Sequence, residues 1–208
     1  MTISQLDSSE TGKRARSKAA NRQAILEAAR GVFAIRGYDA TTVRDIIRAT
    51  DLGTGTFYNY FKSKEEVFQA LSDDSVRRFR PLLGQVRENS VGFEDFVRGS
   101  YRAYFQFLAD ENFDAISGGA PHIALIGVRV DTPEMLTIFE EIRMMFEDML
   151  GQGGAPRVDS EYLAASAIGI AREVGDHMLV RRPVDVQSAT EFAASLLLGG
   201  LQAVLVDG

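Results

Sequence analysis

The stretch Thr-Thr-Val-Arg-Asp-Ile-Ile-Arg-Ala-Thr-Asp-Leu-Gly-Thr-Gly-Thr-Phe-Tyr-Asn-Tyr-Phe-Lys-Ser-Lys, residues 41–64, constrains this chain more than any other. It reads as two short helices joined by a tight turn. Thr42 is placed to cap the first, and Asp45, three residues on, completes a loose capping box. Ile46, Ile47 and Ala49 give that helix an apolar side. Thr50-Asp51-Leu52-Gly53 interrupts it, because Asp tolerates left-handed backbone and Gly adopts it freely. A second helix is expected to start at Gly53 or Thr54 and to carry Thr56 through Phe61. Phe57 and Phe61 are four apart and share an inward face, so Tyr58, Asn59 and Lys62 project elsewhere. Two helices this short with such a turn form a helix-turn-helix, whose second helix enters the DNA major groove.

The chemistry of the second helix suits that use. Hydroxyls and lysine donate to phosphate oxygens and fix register on the duplex. Asn pairs with adenine, and a Thr methyl touches the thymine methyl. Gly55 lets backbone come close to DNA. The charge distribution agrees. Net charge is -6, but residues 13–64 hold eleven Lys or Arg against four Asp or Glu, a local +7, so the remainder sums to -13. A basic module on an acidic body is the electrostatic footprint of a DNA binder, and the acidic part limits which face approaches phosphate.

The segment resembles the DNA-binding domain of the TetR family of bacterial regulators. The matching residues are Gly37-Tyr38, Thr41-Thr42-Val43, Asp45-Ile46, Gly55-Thr56-Phe57-Tyr58-Asn59-Tyr60-Phe61 and Lys62-Ser63-Lys64-Glu65-Glu66, within residues 19–68. Two positions depart from the family pattern: Asp51 stands for the usual turn Gly, and Gly53 for the usual Ser or Thr cap. The resemblance implies that Thr42, Tyr58, Tyr60 and Lys64 hold phosphates. It implies that Arg44, Thr54, Gly55, Thr56 and Asn59 face base edges.

Around this unit the chain reads as all-α, since no period-2 pattern occurs. The expected organisation is a flexible basic arm over residues 1–17, a helix-turn-helix DNA-binding domain over 18–64, and a helical ligand-binding and dimerisation domain over 65–208. The first helix, 18–36, carries Ile25, Ala28, Ala29, Val32 and Phe33 at helical spacing and ends at Gly37. Ser63 caps a fourth helix expected to end near Pro81; in the family this helix links head to body and acts as a lever. An aromatic amphipathic helix follows over 92–109, then a short helix through Ile116 and another over 122–130. Thr132-Pro133-Glu134 opens a helix running to Leu150. The last two helices, 159–180 and 187–205, are rich in Ala and Gly, and the final one is apolar nearly all round. A helix of that kind must be buried, and a terminal one can be buried by a partner chain or complete the core of its own chain. The resemblance implies that both helices pair with their symmetry mates in a homodimer.

Chemistry in the body is not expected. There is no cysteine, so no disulfide or thiolate ligand. His122 and His177 lack companions at metal-ligand spacing, and the Gly-rich stretches follow no strand. No catalytic residue, metal or cofactor is assigned. A ligand pocket is expected instead, drawn from Tyr101, Phe105, His122, Phe139, Arg143, Phe146, Arg172 and Asp176. Arg172 and Asp176, four apart, are placed to pair. With no apolar leader and no run approaching membrane-spanning length, a cytoplasmic protein is expected. The leading reading is a dimeric repressor on a pseudo-palindromic operator, released by a small, largely apolar effector. The alternatives are a DNA-tethered protein-interaction module and a helical enzyme.

Overall fold

The computed structural model describes the backbone of residues 4–112, 132–151 and 158–206, with side chains from 14 to 205. The described residues contain eight α-helices and no strand: α1 (Ser4–Arg36), α2 (Val43–Arg48), α3 (Thr54–Tyr58), α4 (Lys64–Asn89), α5 (Phe93–Glu111), α6 (Pro133–Gly151), α7 (Ser160–Val180) and α8 (Val186–Val206). They fall into two compact units, residues 1–71 and 72–208, with α4 contributing to both. The expected short helices after Asn112, and His122 with them, lie outside the described residues.

In the first unit, Ile25, Leu26, Ala29 and Phe33 of α1 are buried together with Ile46, Phe57, Phe61, Val67, Phe68 and Leu71. Phe33 and Phe68 meet edge-on at 5.8 Å, and Tyr38 sits 5.0 Å from Phe68. The unit therefore extends to Leu71 rather than ending at 64, because the first turns of α4 supply part of its core. Gly37 ends α1 at φ 77°, a conformation that costs an L side chain but not glycine. The Thr41 hydroxyl donates to the Gly37 carbonyl at 2.6 Å across that turn.

Three boundaries differ from expectation. Residues 4–17, expected as a flexible arm, continue α1. Nothing there breaks a helix: no proline occurs between Ser4 and Lys18, and Gly12 is the one glycine. α4 runs through Pro81 to Asn89. A proline removes one backbone bond, while Leu83 beyond it is buried and Arg80 and Arg87 pair with Glu141 and Asp148 of α6. α5 continues through Asp110 and Glu111 instead of stopping at 109.

In the second unit α5 packs on α8 and α7, α6 on α7, and α7 on α8. Phe96, Val97, Tyr101 and Phe105 fill the centre with Ile138, Phe146, Leu163, Met178, Leu179 and Leu197. Thr132 caps α6 through the Met135 N–H, and Asp159 caps α7 through the Glu161 and Tyr162 N–H groups. In α8, Val186–Leu205 is by length and composition long and apolar enough to cross a bilayer, against expectation. Its mean hydropathy is 1.3, and Glu191 is its sole charge. One third of that stretch is buried. Phe192, Leu196 and Val204 stand more than half exposed.

Candidate nucleic-acid interface

The helix-turn-helix unit is set by local hydrogen bonds. Thr42 caps α2, with a full capping box: its N–H donates to Asp45 Oδ2 at 3.0 Å, and its Oγ1 accepts from the Asp45 N–H at 3.3 Å. The Thr42 hydroxyl also donates to Asp45 Oδ2 at 2.6 Å. These bonds, with Arg36 at 3.0 Å, hold the Asp45 carboxyl below its usual range. The turn works differently from expectation. Among the described residues no non-glycine has positive φ, and Gly53 has φ −71° and ψ 153°. Thr50 makes the bend instead: its hydroxyl donates to the Ile47 carbonyl at 2.8 Å and accepts the Leu52 N–H at 3.2 Å.

α3 is five residues long and ends at Tyr58, short of the expected Phe61. Its anchor is Phe57, 1% exposed, whose ring lies 6.2 Å from that of Phe61. Burying a side chain of this size stabilises by about 1.5–3 kcal/mol, enough to seat a helix too short to persist alone. The Arg22 guanidinium lies 5.4 Å over the Phe61 ring.

The nine residues assigned to DNA divide into two groups. Thr42, Tyr60 and Lys64 have work inside the fold. Thr42 is the cap. The Tyr60 hydroxyl accepts from Asn21 Nδ2 at 3.4 Å. Lys64 Nζ donates to the Tyr38 and Asp39 carbonyls at 2.8 and 3.2 Å and stands 4.5 Å over the Tyr38 ring. In this structure it is a clamp between α4 and the α1–α2 connection, not a free cation held out for phosphate. The others are unspent. The side chains of Arg44, Thr54, Thr56 and Asn59, and the Tyr58 hydroxyl, make no hydrogen bond or ion pair among the described residues. Arg44, Thr54, Gly55, Tyr58 and Asn59 are exposed and Thr56 is half-buried. A methyl group placed on Gly55 would meet nothing within 4 Å, so the fold itself does not require glycine there. Arg48 and Lys62 are also exposed on this unit, as are Arg14, Arg16 and Lys18 of α1. The motif did not single out Arg48; only a helical projection places it with Arg44, four residues away.

The residues named for a pocket are dispersed. Tyr101, Phe105 and Phe146 belong to the packed core, and Tyr101 donates to the Ala167 carbonyl at 3.2 Å. Arg143 reaches outward to Glu140 and Glu147, at 2.9 and 2.6 Å. Arg172 pairs with Glu173 at 2.8 Å rather than with Asp176, whose carboxyl is largely desolvated by burial. Burial pushes the Asp176 carboxyl up to about 6, with the Glu173 charge adding and Arg172 and His177 opposing. Burial also raises the Tyr104 phenol, with the Asp176 charge adding. The described residues hold no group of three His, Cys, Asp or Glu able to bind a metal ion.

Residues 25–71 match the family of bacterial regulatory proteins described as tetR. The transcriptional repressor KstR2 of Rhodococcus jostii is 34% identical over 90 residues, 41% of this chain and 44% of that protein. The chain thus spans less than half the length of this relative. The uncharacterised regulator YdgC of Bacillus subtilis is 27% identical over 191 residues, covering 87% and 92% of the two chains. Among solved structures, FadR of Bacillus subtilis in complex with stearoyl-CoA superposes with a TM-score of 0.68 at 17% identity, over 86% of this chain and 98% of that one. The fatty acid degradation regulator FadR of Bacillus halodurans gives 0.66 at 21% identity, over 87% and 96%. At these identities the structural likeness establishes the fold.

Proposed function

From the premise that the chain belongs to the TetR family of bacterial regulatory proteins, we propose that it is a dimeric transcriptional repressor. The carrying observation is the contrast within the head. Arg44, Thr54, Gly55, Tyr58 and Asn59 are exposed and unspent on a unit where Thr42, Tyr60 and Lys64 are committed to holding it together. Tyr58 would hold the phosphate backbone, while Arg44, Thr54, Gly55, Thr56 and Asn59 would read base edges. The cytoplasm, where DNA lies, is the matching location.

The dimer reading is supported by α8, whose Phe192, Leu196 and Val204 form an uncovered apolar side beside Gly199, Gly200 and Ala203. Such a face is closed by a second copy in a two-fold arrangement. Two heads would then meet half-sites about 34–36 Å apart on a pseudo-palindromic operator. FadR of Bacillus subtilis, solved in complex with stearoyl-CoA, supports the further reading that the body senses a small molecule. An effector favouring a state that does not bind DNA would lower operator affinity by a coupling of about 1–3 kcal/mol. None of this calls for catalysis.

The test is a gel shift on DNA upstream of its own gene, in a salt series against random duplex. Specific binding that weakens steeply with salt supports the reading. Equal affinity for both duplexes at every salt concentration overturns it.

A further inference from the structure

We propose that an open groove between α4 and α5 is a binding site for a linear dication, a methylene chain carrying an ammonium group at each end. The groove has a volume of about 530 Å³, within the range of small-molecule sites. Its floor is apolar, made by Leu82 and Val86 of α4 with Ala103 and Phe107 of α5. Gly99 lets the helices close beneath it, since a methyl there would stand 2.8 Å from Val86 Cγ1.

The charges around the groove are one-sided. Among the described residues no Lys or Arg lines it, whereas Asp95 and Asp110 do, together with the amides Gln85, Asn89 and Gln106. Of the arginines nearby, Arg78 pairs with Asp74 and Glu111, Arg87 with Asp148, and Arg98 with Glu94 and Glu191, while Arg102 of α5 is exposed and does not line the groove. Asp95 and Asp110 instead accept from neutral donors, the Val91 N–H at 3.0 Å and Gln106 Nε2 at 2.8 Å. Each keeps acceptor capacity for a cation. Asp110 also lies in the last turn of α5, where the helix dipole favours positive charge.

Spacing fixes the shape of the guest. Asp95 and Asp110 are fifteen residues apart, so they fall within about 60° on one side of α5 and about 22 Å apart along it. Two charge-assisted contacts of about 2.8 Å leave about 16–17 Å between the cationic nitrogens, the length of an extended twelve-carbon diamine. The methylenes cover the apolar floor between the two acids. A carboxylate or phosphate guest meets the wrong sign at both ends. One wall of the groove is α4, the helix that begins in the head. That this site acts as the effector site rests on the repressor reading; that it binds a dication does not.

The probe is dodecane-1,12-diamine, titrated calorimetrically into the full chain, with dodecane-1,12-diol and dodecanoate as comparisons. The diamine should bind best, and added salt should weaken it. Asp95→Asn with Asp110→Asn keeps the local hydrogen bonds and should lower affinity about tenfold, at the upper range for two exposed ion pairs. Ala103→Trp should abolish binding by filling the floor. Unchanged melting curves would show that each variant folds. Equal binding of the diol or dodecanoate, no diamine binding at millimolar concentration, or an unaffected double variant overturns the proposal. A gel shift with the diamine separates the two claims. Operator release in the wild type but not in the double variant supports both. Binding without release retains the site and removes its regulatory role.

Discussion

Gly55 offers the sharpest separation between what the fold needs and what DNA needs. It is the second residue of α3, is exposed, and has an ordinary helical φ. An added Cβ meets nothing within 4 Å. Gly55→Ala therefore removes backbone freedom from the unfolded chain at no steric cost, a gain of about 0.4–1 kcal/mol. For a chain of this length that raises Tm by up to about 4 °C. If the Gly55 surface abuts DNA, the same methyl occupies space the duplex needs. Displacing the helix from its base contacts should cost at least about 1.4 kcal/mol, a tenfold loss of operator affinity. Thermal unfolding and fluorescence anisotropy on labelled operator read the two effects independently. A variant that melts as high as wild type or higher but binds at least tenfold more weakly fits the reasoning. Operator binding within twofold of wild type would remove Gly55 from the interface. A lowered Tm would refute the claim that its surroundings are open.

Other parts of the structure make separate demands. Lys64→Ala breaks two hydrogen bonds from a half-buried ammonium and should destabilise the head by about 1.5–3 kcal/mol, seen as an earlier unfolding transition without DNA; unchanged melting would return Lys64 to the surface group. Leu196→Glu places charge on the uncovered face of α8, and light scattering should shift from a dimer to the 22.8 kDa monomer with the helical signal retained; an unchanged mass would place the interface elsewhere. Asp176 binds its proton more tightly folded, at about 6, than unfolded, at about 3.9, so its contribution to stability falls as pH rises through that window and stays lower above it. Asp176→Asn should match wild type below pH ~4 and exceed it by about 1–2 kcal/mol at pH ~7.5, allowing for partial exposure; denaturant midpoints at both pH values decide it, and no gain at the higher pH would refute the burial argument.

How far the sequence carried depended on whether the signal was local. Capping residues act within four positions, so Thr42, Ser63, Thr132 and Asp159 could be read directly, or within a residue of the observed start. Gly37 was legible for the same reason: a positive φ leaves few alternatives. Helix ends set by packing were not. Pro81 looked like a stop, but the buried Leu83 and the arginine pairs to α6 hold α4 together beyond it, and those partners lie about sixty residues away. The turn before α3 misled in the opposite way. Asp51 and Gly53 suggested left-handed backbone, yet the Thr50 hydroxyl bends the chain without it.

The same distinction applies to the interface. A motif shows which residue types gather, but not which have already spent their hydrogen bonds. Lys64 and Tyr58 look equally suited to phosphate in the sequence. Lys64 has its donors engaged by two carbonyls twenty-five and twenty-six residues away, while the Tyr58 hydroxyl has no partner among the described residues. An ammonium already bonded must give up those bonds before it reaches DNA, and each is worth more than a typical neutral hydrogen bond. A free hydroxyl gives up only water. Direct contact should therefore fall on Arg44, Thr54, Gly55, Thr56, Tyr58 and Asn59, with Thr42, Tyr60 and Lys64 governing where those six are held.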